Sequence, residues 1–175
     1  MSKEEALDPK IYPMGKVNQQ EFTKDVLYRS ILMVEAAPLR LRNILEGISE
    51  KDLERSYREG GWSVRQIVHH VADSHMNMLV RFKLALTEEK PVIKPYQQDL
   101  WAKLPDYQYP VESSLVLFES IQQRFSELLK VMSESDFGRA YVHPEYNTTY
   151  RLSEATQLYA WHGMHHTAQI EGIFR

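Results

Sequence analysis

The chain has 175 residues, of which 43% are hydrophobic and 26% are charged, the balance of a globular protein with a substantial core. A formal net charge of −3 gives no basic surface for nucleic acid, and without cysteine there can be no disulfide, thiolate ligand or cysteine nucleophile. The polar, acidic start and the absence of a long apolar run predict one cytoplasmic domain over residues 1–175, without a membrane span.

The first part of the chain predicts an arm followed by a long helix. Residues 1–18 contain two prolines, one glycine and little periodicity, so we expect an extended arm that lies on the surface or on a partner. Apolar residues with four-three spacing predict a helix that starts near Asn18, continues with a kink through Pro38 and ends near Gly47. Ser49, with aspartate three positions later, has the spacing of a cap for a short helical turn.

A second long helix is predicted to start after Ser63, which forms a capping-box pattern with Gln66. Its apolar stripe runs for about six turns at helical spacing. The helix carries His69, His70 and His75. By helical angle, His75 lies nearest the centre of the stripe, His70 lies on one edge and His69 points mostly outward.

Residues 88–110 contain four prolines and predict a long crossover with a helical turn around residues 99–103. Two interpretations stay open for this segment. Tyr96 and Trp101 can make it a lid over a pocket, or the segment can be a tightly packed connector.

A third helix is predicted from about Val111 to Met132, followed by an irregular segment, residues 135–150, that includes His143 and a weak signal for a short strand pair. The last helix covers Ser153–Arg175. Four long amphipathic helices, one crossover and no strong strands predict an all-α four-helix bundle with the crossover between helices two and three.

The last helix places His162 and His166 four residues apart, one turn above the other at the centre of its apolar stripe. Each buried imidazole needs a partner, which can be a hydrogen-bonding group of the core or a shared divalent metal. The sequence has neither His-Glu-x-x-His nor Glu-x-x-His, which excludes the common zinc-protease pairing and a ferritin-like di-iron site.

A mononuclear three-histidine site is the remaining metal hypothesis, because catalytic zinc-type sites usually have three protein ligands and one open position. The third ligand has to come from His69, His70, His75 or His143. Periodicity favours His75, but a site near the end of the bundle can use an edge residue such as His70. The physics of the sequence leaves this choice open.

Several stretches carry a resemblance to a known family: the run GGWSVRQIVHHVADSHMN, which leads into the second helix and continues with RFKLALTEE and then PY, the pair His143-Pro144, and the pattern W-H-x-x-H-H in the last helix. Together they resemble the YfiT-like proteins of the DinB-like superfamily of metal-binding four-helix bundles, over nearly the whole chain. The resemblance implies that the metal ligands are His70, His162 and His166. It also implies that His75 is a core or supporting histidine.

The resemblance further implies one divalent metal per subunit, Zn²⁺ or Ni²⁺, a small-molecule substrate and a homodimer. The implied activity is that of a metal-dependent hydrolase. A second possibility is a transferase that acts with a low-molecular-weight thiol such as bacillithiol, since such a metal lowers the pKa of bound water and deprotonates a bound thiol. A third is a bundle that binds metal or a small ligand without catalysis.

The sequence offers several groups for proton transfer and substrate binding but does not choose among them. His143, Asp73 and His75 are the candidates for a general base, because the last helix has no glutamate in its histidine motif. Arg65 and Arg81 are the candidates for binding a carboxylate on the substrate or thiol, with a solvated helix face as the alternative.

Overall fold

The computed structural model of the chain describes residues 7–174. Four long helices dominate this part of the chain, and short helices and one hairpin connect them. In chain order the elements are α1 (Lys24–Leu45), α2 (Glu50–Leu53), α3 (Val64–Thr87), α4 (Gln98–Trp101), a 3₁₀ turn (Pro105–Gln108), α5 (Glu112–Val131), α6 (Glu134–Gly138), β1 (Ala140–His143), β2 (Thr148–Arg151) and α7 (Leu152–Phe174). Across residues 7–174, no helix has both the length and the apolar character needed to cross a membrane.

The long helices form the predicted four-helix bundle. Helix α1 packs against α5 and α7, and α3 packs against the same two helices, so α1 and α3 lie on opposite corners. The apolar stripes meet in two buried clusters, one around Phe82 and Phe125 and the other around Ile67 and Phe118. Such interdigitated burial supplies the main stabilisation of the bundle.

Helix α1 starts at Lys24, six residues later than the predicted start near Asn18. The hydroxyl of Thr23 caps it by accepting from the backbone of Val26 at 3.2 Å. The preceding residues stay extended because the side chain of Gln157 exchanges two hydrogen bonds with the backbone of Gln20, at 2.9 and 3.1 Å. The backbone N–H and C=O of Gln20 are therefore already hydrogen-bonded and require no partners within a helix.

The other helix boundaries follow the sequence signals closely. The predicted capping box at α3 is confirmed, since Gln66 N donates to Ser63 Oγ at 3.2 Å and Ser63 N donates to Gln66 Oε1 at 3.0 Å. The Ser49 cap of α2 is also confirmed. Pro38 lies inside one continuous α1, as predicted.

The crossover between α3 and α5 is a packed connector along much of its length. Ile93, Ala102 and Tyr107 are buried in it, and Gln66 Nε2 donates to the carbonyl of Ala102 at 3.0 Å. Tyr96 and Trp101 contact each other with ring centroids 4.4 Å apart. Tyr96 lines a cavity beside the segment around α4 but Trp101 does not, and the lid interpretation of that segment stays a prediction.

The weak strand signal is confirmed as the antiparallel hairpin of β1 and β2, in which Val142 pairs with Thr149. The crossover adds a parallel bridge to its edge, because Ile93 N donates to Val142 O at 3.0 Å. This bridge places β1, and with it His143, beside the second half of α3.

Residues 7–18, the described portion of the predicted arm, contain turns but neither helix nor strand. The carbonyl of Asp8 accepts from Ile11 and Tyr12, which closes one turn. The arm is fixed to the bundle where Gln169 Nε2 donates to Ile11 O at 2.9 Å. Residues 1–6 of the predicted arm lie outside the described residues.

Candidate metal centre

Three histidines from two facing helices converge in the bundle. His70 lies on α3 and is 3% exposed, while His162 and His166 lie one turn apart on α7. Each residue offers one ring nitrogen such that the three nitrogens lie within 4.8 Å of one another. The ring centroids are 4.6 to 5.4 Å apart and the rings meet edge to face. This is the set that the resemblance implied.

The environment favours the neutral form of all three rings. Burial lowers the pKa of His70 to about 3, with a smaller contribution from nearby His75. Burial, and then the neighbouring imidazoles, also hold the pKa values of His162 and His166 well below the usual value. Neutral imidazoles keep a lone pair on one nitrogen, which is the form that binds a metal.

A chain of hydrogen bonds fixes the orientation of His162. Its Nδ1 lies 3.3 Å from Nε2 of the fully buried His75, whose Nδ1 lies 2.9 Å from Oε1 of Gln122. The amide oxygen can only accept, so His75 donates from Nδ1 and accepts at Nε2 from His162. His162 therefore carries its proton on Nδ1 and keeps the lone pair on Nε2.

A second, shorter chain fixes His166 in the same way. Its Nδ1 lies 2.8 Å from Oε1 of Gln169, and Nε2 of Gln169 donates to Ile11 O at 2.9 Å. The arm carbonyl thus sets the amide orientation, and the amide oxygen sets the tautomer of His166. Outer hydrogen bonds of this kind orient histidine ligands in metal sites.

His70 has a different environment. Its Nδ1 is buried without a hydrogen-bond partner among residues 7–174, and its ring packs 4.5 Å from the ring of Trp62. An enclosed ring nitrogen without a partner is costly to keep in a stable core. Three converging imidazoles, two of them oriented by outer hydrogen bonds, fit a divalent cation, so the donor set suits the metal that the resemblance implied.

A cavity of about 520 Å³ opens beside the cluster and reaches His162. Its wall combines residues of α3, the crossover, the β1–β2 hairpin and α7. They are Ser74, Arg81, Tyr96, Gln97, Gln98, Asp99, Leu100, His143, Glu145, Tyr146, Leu158, Tyr159 and His162. A small molecule in this cavity would lie against one member of the histidine cluster.

Two further predicted site residues, His143 and Arg81, line this cavity. His143 is buried on β1 and stacks on Tyr146 with ring centroids 4.5 Å apart. Burial, and then the positive charge of Arg81, lower the pKa of His143. Its Nδ1 has no hydrogen-bond partner in the described part of the chain.

Asp73 and Arg65 lie outside the cavity wall. The hydroxyl of Tyr107 donates to Asp73 Oδ2 at 2.6 Å, and burial raises the pKa of that carboxyl while the hydrogen bond lowers it. Arg65 contacts Glu50 and Glu54 at 2.6 Å each. These contacts connect α3 to α2 and the crossover.

Sequence reasoning did not single out Gln122, Gln169 or Tyr159, which the structure places around the site. A signal existed for two of them. Gln122 interrupts the apolar seam of α5 between Ile121 and Phe125, and Gln169 follows His166 at the i+3 position on the same face. Because buried polar groups are hydrogen-bonded, a glutamine in an apolar seam predicts a polar partner on a facing helix.

The bundle and the cluster define a class of protein: a four-helix bundle whose candidate metal centre combines one histidine of α3 with a His-x-x-x-His pair of α7. A family model described as the DinB superfamily matches residues 33–170. The chain belongs to this superfamily, and the family resemblance seen in the sequence is confirmed.

Known relatives extend this assignment to most of the chain. A Bacillus cereus (strain 03BB102) protein named "Putative metal-dependent hydrolase" is 45% identical over 163 residues, which cover 93% of this chain and 94% of the relative. A Bacillus mycoides (strain KBAB4) protein of similar name is 44% identical over the same length. A solved structure, described as "YfiT from Bacillus subtilis is a probable metal-dependent hydrolase with an unusual four-helix bundle topology", matches with a TM-score of 0.92 at 37% identity, covering 95% of this chain and 96% of that one.

Proposed function

We propose that this protein is a metal-dependent hydrolase of small molecules, with His70, His162 and His166 as the ligands of one divalent cation. The observation that carries the proposal is the convergence of three neutral ring nitrogens within 4.8 Å, beside a cavity that reaches one of them. The relative from Bacillus cereus is named a putative metal-dependent hydrolase and YfiT from Bacillus subtilis is described as a probable one, which supports the same activity.

His70, His162 and His166 would hold the cation, and because the three imidazoles are neutral, the bound ion would keep its full charge, lower the pKa of coordinated water towards about 7 and polarise a substrate oxygen. Zn²⁺ and Ni²⁺ both suit imidazole ligands. The protein positions the ligands in advance, because hydrogen bonds to His75 and Gln169 hold His162 and His166 each in one tautomer before any metal binds.

His143 is the residue of this chain that we assign to proton transfer. It lines the cavity wall together with His162, and its lowered pKa keeps the ring neutral and able to accept a proton near neutral pH. His75 already uses both ring nitrogens, at 2.9 and 3.3 Å, and Asp73 already accepts from Tyr107. These bonds leave His143 as the most available base of the three candidates.

Metal analysis tests the centre directly. The purified, metal-loaded protein should hold one Zn²⁺ or Ni²⁺ per chain, and His162→Gln should lose it. His165→Gln is the matched control, because His165 is a buried histidine of the same helix that is not part of the cluster. Equal metal content in wild-type protein and His162→Gln would overturn the assignment, provided that circular dichroism shows both to be folded.

An activity panel then separates the alternatives that share this centre. Metal-dependent cleavage of an ester panel supports the hydrolase, whereas turnover only with a thiol plus an electrophile supports the thiol S-transferase. Background rates in both panels, with a loss of thermal stability on chelation, would indicate a non-catalytic metal-binding bundle. The homodimer and the cytoplasmic location belong to the same proposal, and light scattering of the metal-loaded protein tests the former.

A further inference from the structure

The positive charge of Arg81 has no protein counter-ion in the described chain. Arg81 is 8% exposed, and its Nη1 donates to the Tyr159 hydroxyl at 2.9 Å. Its Nε is enclosed without a partner, and none of the ion pairs formed by residues 7–174 includes Arg81. Arginine is almost never this buried unless it is paired.

The phenols nearby do not supply the missing negative charge. Burial raises the pKa of Tyr96 to about 12, and the ordinary pKa of a phenol such as that of Tyr159 is about 10. Both side chains are therefore neutral hydroxyl groups at physiological pH. Tyr159 accepts one hydrogen bond from Arg81, but neither phenol compensates the charge of the guanidinium.

The uncompensated charge faces the space that a substrate would occupy. Arg81 lines the same cavity of about 520 Å³ as His143 and the candidate ligand His162. Leu100, Tyr146 and Leu158 supply apolar wall in that cavity. A molecule bound there meets the cation of Arg81, an apolar wall, the two acidic side chains of Asp99 and Glu145, and His162 of the histidine cluster.

We propose that the substrate carries a carboxylate that binds Arg81 while its reactive bond lies at the histidine cluster. This inference rests on the proposed function and names the substrate class for that site. Arg81 is the only lysine or arginine among the cavity-lining residues in the described chain, and two acidic residues, Asp99 and Glu145, also line it. The planar guanidinium can pair with one carboxylate, and repulsion from the two acids increases with the charge of the ligand, so a monoanion fits this wall better than a phosphate dianion.

The test uses three probes that differ only in the polar group: benzoate, benzamide and phenyl phosphate. Binding is measured on the full chain after chelation, so that a carboxylate cannot bind a metal instead, and is repeated on the zinc-loaded protein. The readouts are the ¹⁵N–¹H signal of the Arg81 Nε and the shift in melting temperature with ligand concentration.

We expect benzoate to move the Arg81 signal and to raise the melting temperature in chelated wild-type protein, with little effect of benzamide. Arg81→Gln should weaken benzoate binding tenfold or more, because a charge-assisted contact is lost. Arg124→Gln is the matched control, since Arg124 is an exposed arginine of α5 outside the cavity, and it should bind benzoate as the wild type does.

Equal responses to benzoate and benzamide, or unchanged benzoate binding in Arg81→Gln, would overturn the proposal. Tighter binding of phenyl phosphate than of benzoate would overturn the carboxylate assignment in favour of a phosphate. A failure of the metal-content or ester assays is a separate result, because benzoate binding to the chelated protein does not depend on the histidine cluster holding a metal.

Discussion

The side-chain amide of Gln122 donates a 3.2 Å hydrogen bond to the carbonyl oxygen of Val34. In a regular helix that oxygen accepts from the residue four positions later, which here is Pro38 and has no N–H. The proline thus frees a backbone acceptor, and this acceptor orients the amide of Gln122 with its oxygen towards His75. A residue of α1 thereby helps to set the tautomer of His162 on α7.

Gln122→Leu should weaken metal binding without removing a ligand. The substitution leaves Nδ1 of His75 without its 2.9 Å acceptor, so the ring can change tautomer and stop accepting from His162. Loss of an outer hydrogen bond at a metal site typically costs about 10–100-fold in affinity. Competition with a chromophoric chelator measures the dissociation constant directly.

Gln123→Leu is the matched control for this experiment, because Gln123 is the exposed neighbour on the same helix. It should bind metal with the affinity of the wild type. If both variants bind equally tightly, the relay through His75 has no role in the metal centre.

Gln169→Leu should weaken metal binding through the other ligand of α7. It removes the 2.8 Å acceptor of His166 Nδ1 and also the donor to Ile11 O. We expect a loss of affinity of about tenfold or more, together with faster hydrogen exchange in residues 8–15. Isothermal titration with Zn²⁺ and hydrogen-exchange mass spectrometry measure the two effects.

The control here is Gln157→Leu. It removes both hydrogen bonds between the side chain of Gln157 and the backbone of Gln20 but leaves the hydrogen bond of His166 in place. It should loosen the segment before α1 while the affinity for Zn²⁺ stays within about twofold of the wild type. An equal loss of affinity in both variants would show that general loosening of the N-terminal segment, and not the His166 bond, is responsible.

The metal-free protein should lose stability as the pH falls below about 6.5. Burial lowers the pKa of His70 to about 3, and lowers those of His75 and His165 to about 4. Between these values and about 6.5, the unfolded chain binds more protons than the folded one, so the free energy of unfolding increases with pH in that window. Each such histidine contributes up to about 1.4 kcal/mol per pH unit.

Urea unfolding of the chelated protein between pH 5 and 7.5 measures this dependence. His165→Gln removes one histidine with a lowered pKa. The free energy of unfolding of this variant should therefore fall less than that of the wild type as the pH falls. A midpoint that stays constant from pH 7.5 to pH 5 would contradict the burial of these histidines in neutral form.

The architecture was predictable because four long apolar periodicities leave few ways to bury their stripes. Capping signals placed the start of α3 because Ser63 and Gln66 act within one turn. The predicted start of α1 was wrong, because the segment before the helix is held by a hydrogen bond between Gln20 and Gln157, which lie 137 residues apart in the chain. Local patterns hold no information about such a contact.

The site shows the same division between local and long-range information. The pair His162 and His166 followed from spacing on one helix, whereas helical angle favoured His75 as the third partner. In the structure His75 is hydrogen-bonded to Nδ1 of His162 and lies outside the cluster, whereas the ring of His70, at the edge of the α3 stripe, packs against the ring of His162. The angle around one helix does not give the level along the bundle at which side chains of facing helices meet. The residues alone therefore left both His75 and His70 open, and the resemblance selected His70.

Tyr107→Phe should destabilise the crossover without changing metal affinity. The phenol of Tyr107 is 2% exposed and donates at 2.6 Å to Asp73, so the substitution leaves a half-buried carboxylate without its donor. We expect the free energy of unfolding to fall by about 1–3 kcal/mol in urea titrations. Tyr109 is 63% exposed and serves as the control, so the free energy of unfolding of Tyr109→Phe should stay within about 0.5 kcal/mol of the wild-type value. Equal stability of the two variants would mean that the Tyr107–Asp73 bond does not hold the crossover in place.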